Sequence, residues 1–169
     1  MISKILIGLG LGIIVFLVFV STREGKFHYQ VTGEINAPVE KVFPYLSDLQ
    51  LGSKWSPFER VDPNMKKDYQ GNKLIFEGNA EAGSGELEIK EVVPNESVKM
   101  HLIMTAPFKA ENDIEYRVQE HQGVTQLTWS MSGDGGFLGK LMNIFIDCES
   151  MITDQFRKGI SNLKEVVEE

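Results

Sequence analysis

From Phe27 onward, apolar and polar residues alternate. Phe27, Tyr29, Val31, Gly33 and Ile35 take every second position against His28, Gln30, Thr32 and Glu34, the period of a strand with one buried face. The same period returns in Lys73–Ala80, Glu86–Val93, Ser97–Thr105, Lys109–Gln119 and Thr125–Ser132, and a short strand is expected over Phe58–Asp62. Turn residues separate these segments, among them Ala82-Gly83-Ser84-Gly85, Pro94-Asn95, Ala106-Pro107 and His121-Gln122-Gly123. Connections this short make sequential strands antiparallel neighbours. One face of the resulting sheet collects Leu74, Phe76, Leu87, Ile89, Met100, Leu102, Met104, Ile114, Tyr116, Val118, Leu127, Trp129 and Met131. The opposite face carries Glu77, Glu86, Glu88, Lys90, Glu115, Arg117 and Thr128, and belongs to water.

Two stretches change to helical spacing. Asn36-Ala37-Pro38 opens a short helix with Val42, Phe43 and Leu46 on its apolar stripe and Asn36 placed to cap it. At the other end, Leu138, Leu141, Phe145, Cys148 or Met151, Ile152, Phe156, Ile160, Leu163 and Val167 trace one stripe, which predicts a single long helix over Phe137–Glu168. A stripe that long must be buried, and the alternating strands offer the only large apolar partner. The pattern therefore predicts an α+β fold in which a curved antiparallel sheet of about seven strands wraps a long C-terminal helix. The inward residues, rich in methionine and aromatic rings, fit either a packed core or an adaptable cavity lining.

The first 26 residues follow a different rule. Ile5–Val20 is sixteen consecutive apolar or glycine residues, flanked by Lys4 and by Ser21, Thr22, Arg23 and Lys26. At about 1.5 Å per residue the run covers roughly 24 Å, and Ile2, a snorkelling Lys4 and the Ser21-Thr22 pair would have to extend it to a hydrocarbon core of about 30 Å. A cleavable signal peptide is the rival, but no pair of small residues marks a cleavage site. The expectation is an uncleaved single-pass membrane helix through residues 2–22, with residues 1–26 as anchor and hinge and 27–169 as one globular domain. Positive charge flanks both ends, so charge does not set the orientation, and the short N-terminal stub leans toward a domain on the exported side.

Net charge is −7, and it becomes −9 without residues 1–26, which hold three of the seventeen basic and one of the twenty-four acidic residues. That sign argues against nucleic acid as a partner. Cys148, the single cysteine, has no internal disulfide partner, and its place on the helical stripe reads as a buried thiol.

Several stretches in order resemble the START-like, or SRPBCC, superfamily, and within it the polyketide cyclase/dehydrase-like proteins. They are Ile35-Asn36-Ala37-Pro38-Val39 with Val42-Phe43, Asp48, Trp55-Ser56-Pro57-Phe58 and Gly83-Ser84-Gly85. Pro107-Phe108-Lys109-Ala110, Thr125–Gly133 with Trp129, and Phe156-Arg157-Lys158-Gly159-Ile160 leading to Asn162-Leu163-Lys164 continue the series. The resemblance implies a helix-grip fold with two short helices after the first strand and a deep apolar cavity between sheet and C-terminal helix. It implies binding of a lipid, hydrophobic metabolite or polyketide-like molecule and, in a few branches, cyclisation or dehydration. One departure is Pro63–Lys73, short and basic where many relatives carry a longer glycine-containing loop, which bears on the cavity entrance. Gly159, in mid-helix at a cost of about 1 kcal/mol against alanine, is expected where helix backbone closes on the sheet.

Chemistry is sparse. His28, His101 and His121 are scattered, with no metal-ligand spacing, and the glycine clusters lack the settings of a nucleophile elbow or phosphate loop. No catalytic residue, metal ligand or cofactor is assigned. The expected ligand-binding set is Trp55, Phe58, Phe76, Met100, Met104, Tyr116, Trp129, Met131 and Phe145, with the Tyr116 hydroxyl and the indoles of Trp129 and Trp55 as inward polar groups. Three readings stay open: a membrane-tethered binder of a small hydrophobic ligand, a cyclase or dehydrase acting in the same cavity, and an interaction module with a filled core.

Overall fold

The structure, a computed structural model, describes the backbone of residues 2–168 and the side chains of residues 6–168. Seven strands form one antiparallel sheet: β1 (Lys26–Ile35), β2 (Lys66–Gln70), β3 (Lys73–Glu77), β4 (Ser84–Val93), β5 (Ser97–Ala106), β6 (Ala110–His121) and β7 (Val124–Asp134), in the order β1-β7-β6-β5-β4-β3-β2. Strands β2 to β7 each pair with their sequence neighbours, as short turns require, and β1 closes on β7 over ten residue pairs. Register shifts leave Thr105 of β5 unpaired opposite Ser84/Gly85 and Lys90 of β4 unpaired between Ile89 and Glu91, one bulge in each strand, and these bend and twist the sheet there.

Among the described residues six helices accompany the sheet: α1 (Ile2–Ser21), α2 (Val39–Ser47), α3 (Leu49–Gly52), α4 (Pro57–Val61), α5 (Gly136–Phe145) and α6 (Cys148–Glu168). Helix α6 buries Thr153, Phe156, Gly159, Ile160, Asn162, Leu163 and Val167, a stripe of three- and four-residue steps. Two glycines set its distance from the sheet. A Cβ at Gly33 of β1 would stand 2.7 Å from Ile160 Cγ2, and one at Gly159 would stand 2.5 Å from Trp129 Cζ3 on β7, so helix and sheet close to a separation that only glycine permits.

Four sequence expectations change. The C-terminal helix is two helices. Ile146 adopts an extended conformation after α5, and the Asp147 carboxylate accepts the Ser150 N–H at 2.9 Å to start α6 afresh. The stripe residues before this break therefore lie outside the core: Phe145 is 73 % exposed and meets Phe16 of α1 at 6.4 Å between ring centroids. Residues 57–61 are helix α4, not a strand, because Pro57 in the first turn presets helical φ and its missing N–H falls where no partner is needed. The seventh strand is β2, inside the supposed Pro63–Lys73 loop. It is a lysine-bearing edge strand joined to β3 across Gly71-Asn72, with Gly71 at φ 64°. Finally, Asn36 does not cap α2. The Val39 N–H donates instead to Glu120 Oε2 at 2.8 Å, and the buried Thr125 hydroxyl donates to Ala37 O at 2.7 Å, so the end of the β6–β7 hairpin holds the start of α2.

The expected membrane anchor also falls. Among the described residues no helix is long and apolar enough to cross a membrane, so a single-pass helix through residues 2–22 and the membrane location built on it are withdrawn. The unbroken apolar run is only sixteen residues, roughly 24 Å against a core of about 30 Å. The extension expected from the side chains of Ile2 and Lys4 lies outside the described residues. The far end of α1 instead meets α5: Val20 is buried, and Lys140 Nζ donates to Ser21 O at 3.1 Å.

Candidate ligand-binding site

The sheet's inner face meets two different covers. Toward β1 and β7 it is covered by α6, where Trp129 lies flat on Phe156 with centroids 4.3 Å apart and an interplanar angle of 14°. Toward β3, β4, β5 and β6 the cover is α2, α3 and α4, and there a cavity of about 170 Å³ remains. Its lining is chiefly apolar.

Seven of the nine sequence-predicted residues line this cavity: Trp55, Phe58, Phe76, Met100, Met104, Tyr116 and Trp129. Met131 does not; it is buried in the core on β7. Phe145 sits on α5, on the far side of the helix break. The other large apolar lining residues include two groups. Leu74, Leu87, Leu102 and Ile114 come from the inward positions of the strands, already visible in the alternation. Tyr45, Leu49 and Met65 come from the end of α2, the single turn of α3 and the approach to β2, off the apolar stripe of α2 or in segments too short to display a period.

Exposure grades along the lining and marks the mouth. Trp55, Met100, Tyr116, Ile114 and Trp129 are buried, Phe76, Leu87, Leu102 and Met104 are half-buried, and Phe58 on α4 is 38 % exposed. The cavity is thus closed at the Trp55–Trp129–Tyr116 end and open beside α4 and the β2–β3 edge. Across the mouth, Lys67 Nζ of β2 meets Glu59 Oε2 of α4 at 2.5 Å. The hydrogen bond to Glu59 holds the Lys67 ammonium pKa above its ordinary value.

The closed end is an aromatic partition. Trp55 and Tyr116 each stand nearly edge-on to Trp129 or tilted to one another, with centroids 5.2 to 5.7 Å apart, geometries favoured by ring quadrupoles. Trp55 is anchored: its Nε1–H donates to Tyr45 O at 2.8 Å, and its carbonyl accepts from Asn162 Nδ2 of α6 at 3.0 Å. Its indole, one of the expected inward polar groups, is therefore already satisfied by a backbone carbonyl. Trp129 differs. It is 3 % exposed, and its Nε1–H is buried without a partner among the described residues. Leaving a buried donor unpaired costs about 1–3 kcal/mol, so the exception asks for an explanation. Burial alone pushes the Tyr116 hydroxyl well above the usual phenol range, which keeps it protonated.

This partition corrects one more expectation. No residue of α6 lines the cavity, because Trp55 and Trp129 stand between them, so the open room lies under α2, α3 and α4 and not between sheet and C-terminal helix. Among the described residues no three histidine, cysteine, aspartate or glutamate side chains are grouped to hold a metal ion. His28 and His101 lie on the sheet's outer face, where His28 Nδ1 shares a hydrogen bond with Ser132 Oγ at 2.8 Å and His101 Nδ1 one with Asp113 Oδ1 at 2.8 Å.

Taken together, a curved seven-stranded antiparallel sheet, a C-terminal helix closed against it and an apolar cavity open at one end define a domain of the helix-grip type. The chain belongs to the family described as polyketide cyclase / dehydrase and lipid transport, whose pattern matches residues 26–168. That family membership suggests hydrophobic-ligand binding. Similar solved structures include protein MLL2253 from Mesorhizobium loti, at TM-score 0.63 and 16 % identity over 84 % of this chain and 97 % of that one. Protein CV1439 from Chromobacterium violaceum is similar at TM-score 0.60 and 16 % identity, over 84 % of this chain and 97 % of that one. The Aha1 dimer from Colwellia psychrerythraea is similar at TM-score 0.59 and 16 % identity, over 84 % and 96 %. At these identities the likeness is one of fold. No curated protein matches the chain.

Proposed function

We propose that the protein binds a small hydrophobic molecule in the cavity beneath α2, α3 and α4. The observation that carries this reading is the unfilled apolar room of about 170 Å³ inside a domain that elsewhere closes to glycine-only distances. Native interiors leave few voids larger than a water molecule, and an apolar void forfeits dispersion contacts along its whole lining. A cavity of this volume with a graded mouth is better accounted for by an occupant than by imperfect packing. The family's description, which includes lipid transport, supports the same class of ligand.

Volume limits the occupant. A dry cavity of about 150 Å³ holds a molecule the size of benzene, so this one suits a single substituted ring or a short alkyl chain. Polycyclic products would require Phe58 and α4 to move outward. The lining methionines, Met65, Met100 and Met104, are unbranched and can repack around different shapes.

Native mass spectrometry of the full chain purified from its own host tests the reading. A copurifying apolar mass is expected on the wild type and is expected to vanish in Met104→Trp, which fills the cavity. Bare protein in both preparations, with no uptake of added one-ring compounds, would sink it.

A further inference from the structure

The polar groups of the cavity define the ligand more narrowly than its volume does. Among the residues that line it there is no lysine, arginine or histidine, and its two acids are Asp48 and Glu59. Asp48 Oδ1 accepts the N–H groups of Gln50 and Leu51 at 2.7 and 2.9 Å, and Glu59 is held by Lys67 at the mouth. A carboxylate or phosphate entering this space would lose its hydration and meet no cation inside, and the Lys67 ammonium at the mouth is already engaged by Glu59. At the closed end the balance is reversed. Trp129 lines this end, its N–H is buried with no partner among the described residues, and an indole nitrogen can only donate. Tyr116 lines the same end, 8 % exposed, with its hydroxyl kept in the donating form.

We propose that the ligand is an uncharged molecule of one-ring or short-chain size bearing a hydrogen-bond acceptor, a carbonyl or ether oxygen, which the Trp129 N–H and the Tyr116 hydroxyl engage at the closed end of the cavity. This rests on the ligand-binding reading above and adds a sign to it: the site selects against anions and for acceptors. It also accounts for the orphaned indole, whose desolvation is offset only when the site is occupied.

Three probes of similar size separate the possibilities: acetophenone (neutral, with an acceptor), ethylbenzene (neutral, without one) and benzoate (anionic). Titration calorimetry on the full chain at pH 7 is expected to find benzoate at least roughly tenfold weaker than acetophenone. The acetophenone-to-ethylbenzene affinity ratio is expected to fall about 3–10-fold in Tyr116→Phe and in Trp129→Phe, since one neutral hydrogen bond is lost in each. Each ratio is taken within one variant, so a general loss of packing cancels, and urea unfolding together with far-UV circular dichroism confirms that Tyr116→Phe is folded. An unchanged ratio in both variants, or benzoate equal to acetophenone on the wild type, overturns the proposal and leaves hydrophobic binding standing. Binding of none of the three overturns both together. The benzoate comparison needs no variant, so a folding defect in Trp129→Phe does not protect the proposal.

Discussion

The two ends of the interior are built from the same kinds of residue beneath the same sheet, yet one is filled and the other hollow. Toward α6, Trp129 stacks on Phe156 and the backbone closes until a single added methyl group would collide. Toward β3 and β5, methionine, leucine and phenylalanine leave about 170 Å³ unoccupied. The difference lies in the cover. A helix of twenty-one residues presses a continuous apolar stripe onto the strands, whereas helices of nine, four and five residues, joined by polar turns, span an opening without sealing it. Residue type alone therefore does not decide between core and cavity; the length and continuity of the opposing element does.

Truncating one residue on each side should break the comparison most sharply. Phe156→Ala removes a fully buried ring from the filled half and is expected to cost about 3–5 kcal/mol in urea unfolding, through lost transfer energy and a new void. Met104→Ala, half-buried beside existing space, is expected to cost less than about 2 kcal/mol, because it enlarges an opening without creating one. Equal losses would mean that the cavity is closed in solution.

Adding volume should keep the same order for a different reason. Gly159→Ala gains about 1 kcal/mol of helix propensity but sets a methyl group 2.5 Å from a Trp129 ring that Phe156, Trp55 and Tyr116 hold in place. Overpacking of this kind costs about 1–3 kcal/mol, so a net loss of up to about 2 kcal/mol is expected, read as a fall of up to several degrees in Tm. Met104→Phe in the hollow half is expected to stay within about 1 kcal/mol of wild type while abolishing uptake of one-ring probes. A stabilised Gly159→Ala would show that the stack can yield.

Much of this contrast was legible in the chain, and the part that was not has a physical reason. Alternation located the inward faces of β1 and β3–β7 and five of the candidates that line the cavity, Phe76, Met100, Met104, Tyr116 and Trp129, because a period of two survives any later adjustment of loops; Trp55 and Phe58 stood out only as aromatics in a polar connection. The Gly159 approach was legible from the cost of glycine in a helix. Helix continuity was not: Leu138, Leu141 and Phe145 keep step with Ile152 and Phe156 across Ile146-Asp147, and periodicity does not register a break that preserves phase. This is why Phe145, on paper a cavity residue, faces Phe16 instead. The sixteen-residue apolar run carried a composition signal without a length sufficient for the span inferred from it. Strand β2 was hidden by its own edge position, where lysines replace the alternation that marks half-buried strands; its available signal was the Gly71-Asn72 turn. The orphaned Trp129 N–H was beyond reach of sequence, because satisfaction of a buried donor depends on every neighbour at once.

The smallest expected effect concerns the mouth, which only the hollow half has. Helix α4 is tied to β2 by Glu59 and Lys67, whose side chains are 19 % and 28 % exposed. The hydrogen bond to Glu59 raises the Lys67 pKa, so the pair's contribution is complete below lysine's ordinary value of 10.5 and is lost as pH rises through the raised one. Many lysines titrate in that window, so the informative quantity is the difference between wild type and Glu59→Gln. That difference is expected to be under about 1 kcal/mol at pH 8, as for other ion pairs near the surface, and to shrink toward zero once the lysine has lost its proton. Over the same range, exchange of a bound one-ring probe should quicken in the wild type and stay constant in Glu59→Gln, while the Gly159→Ala penalty in the filled half should not change. A difference that persists undiminished above the lysine range would mean that Glu59 acts through packing, and that charge does not hold the mouth closed.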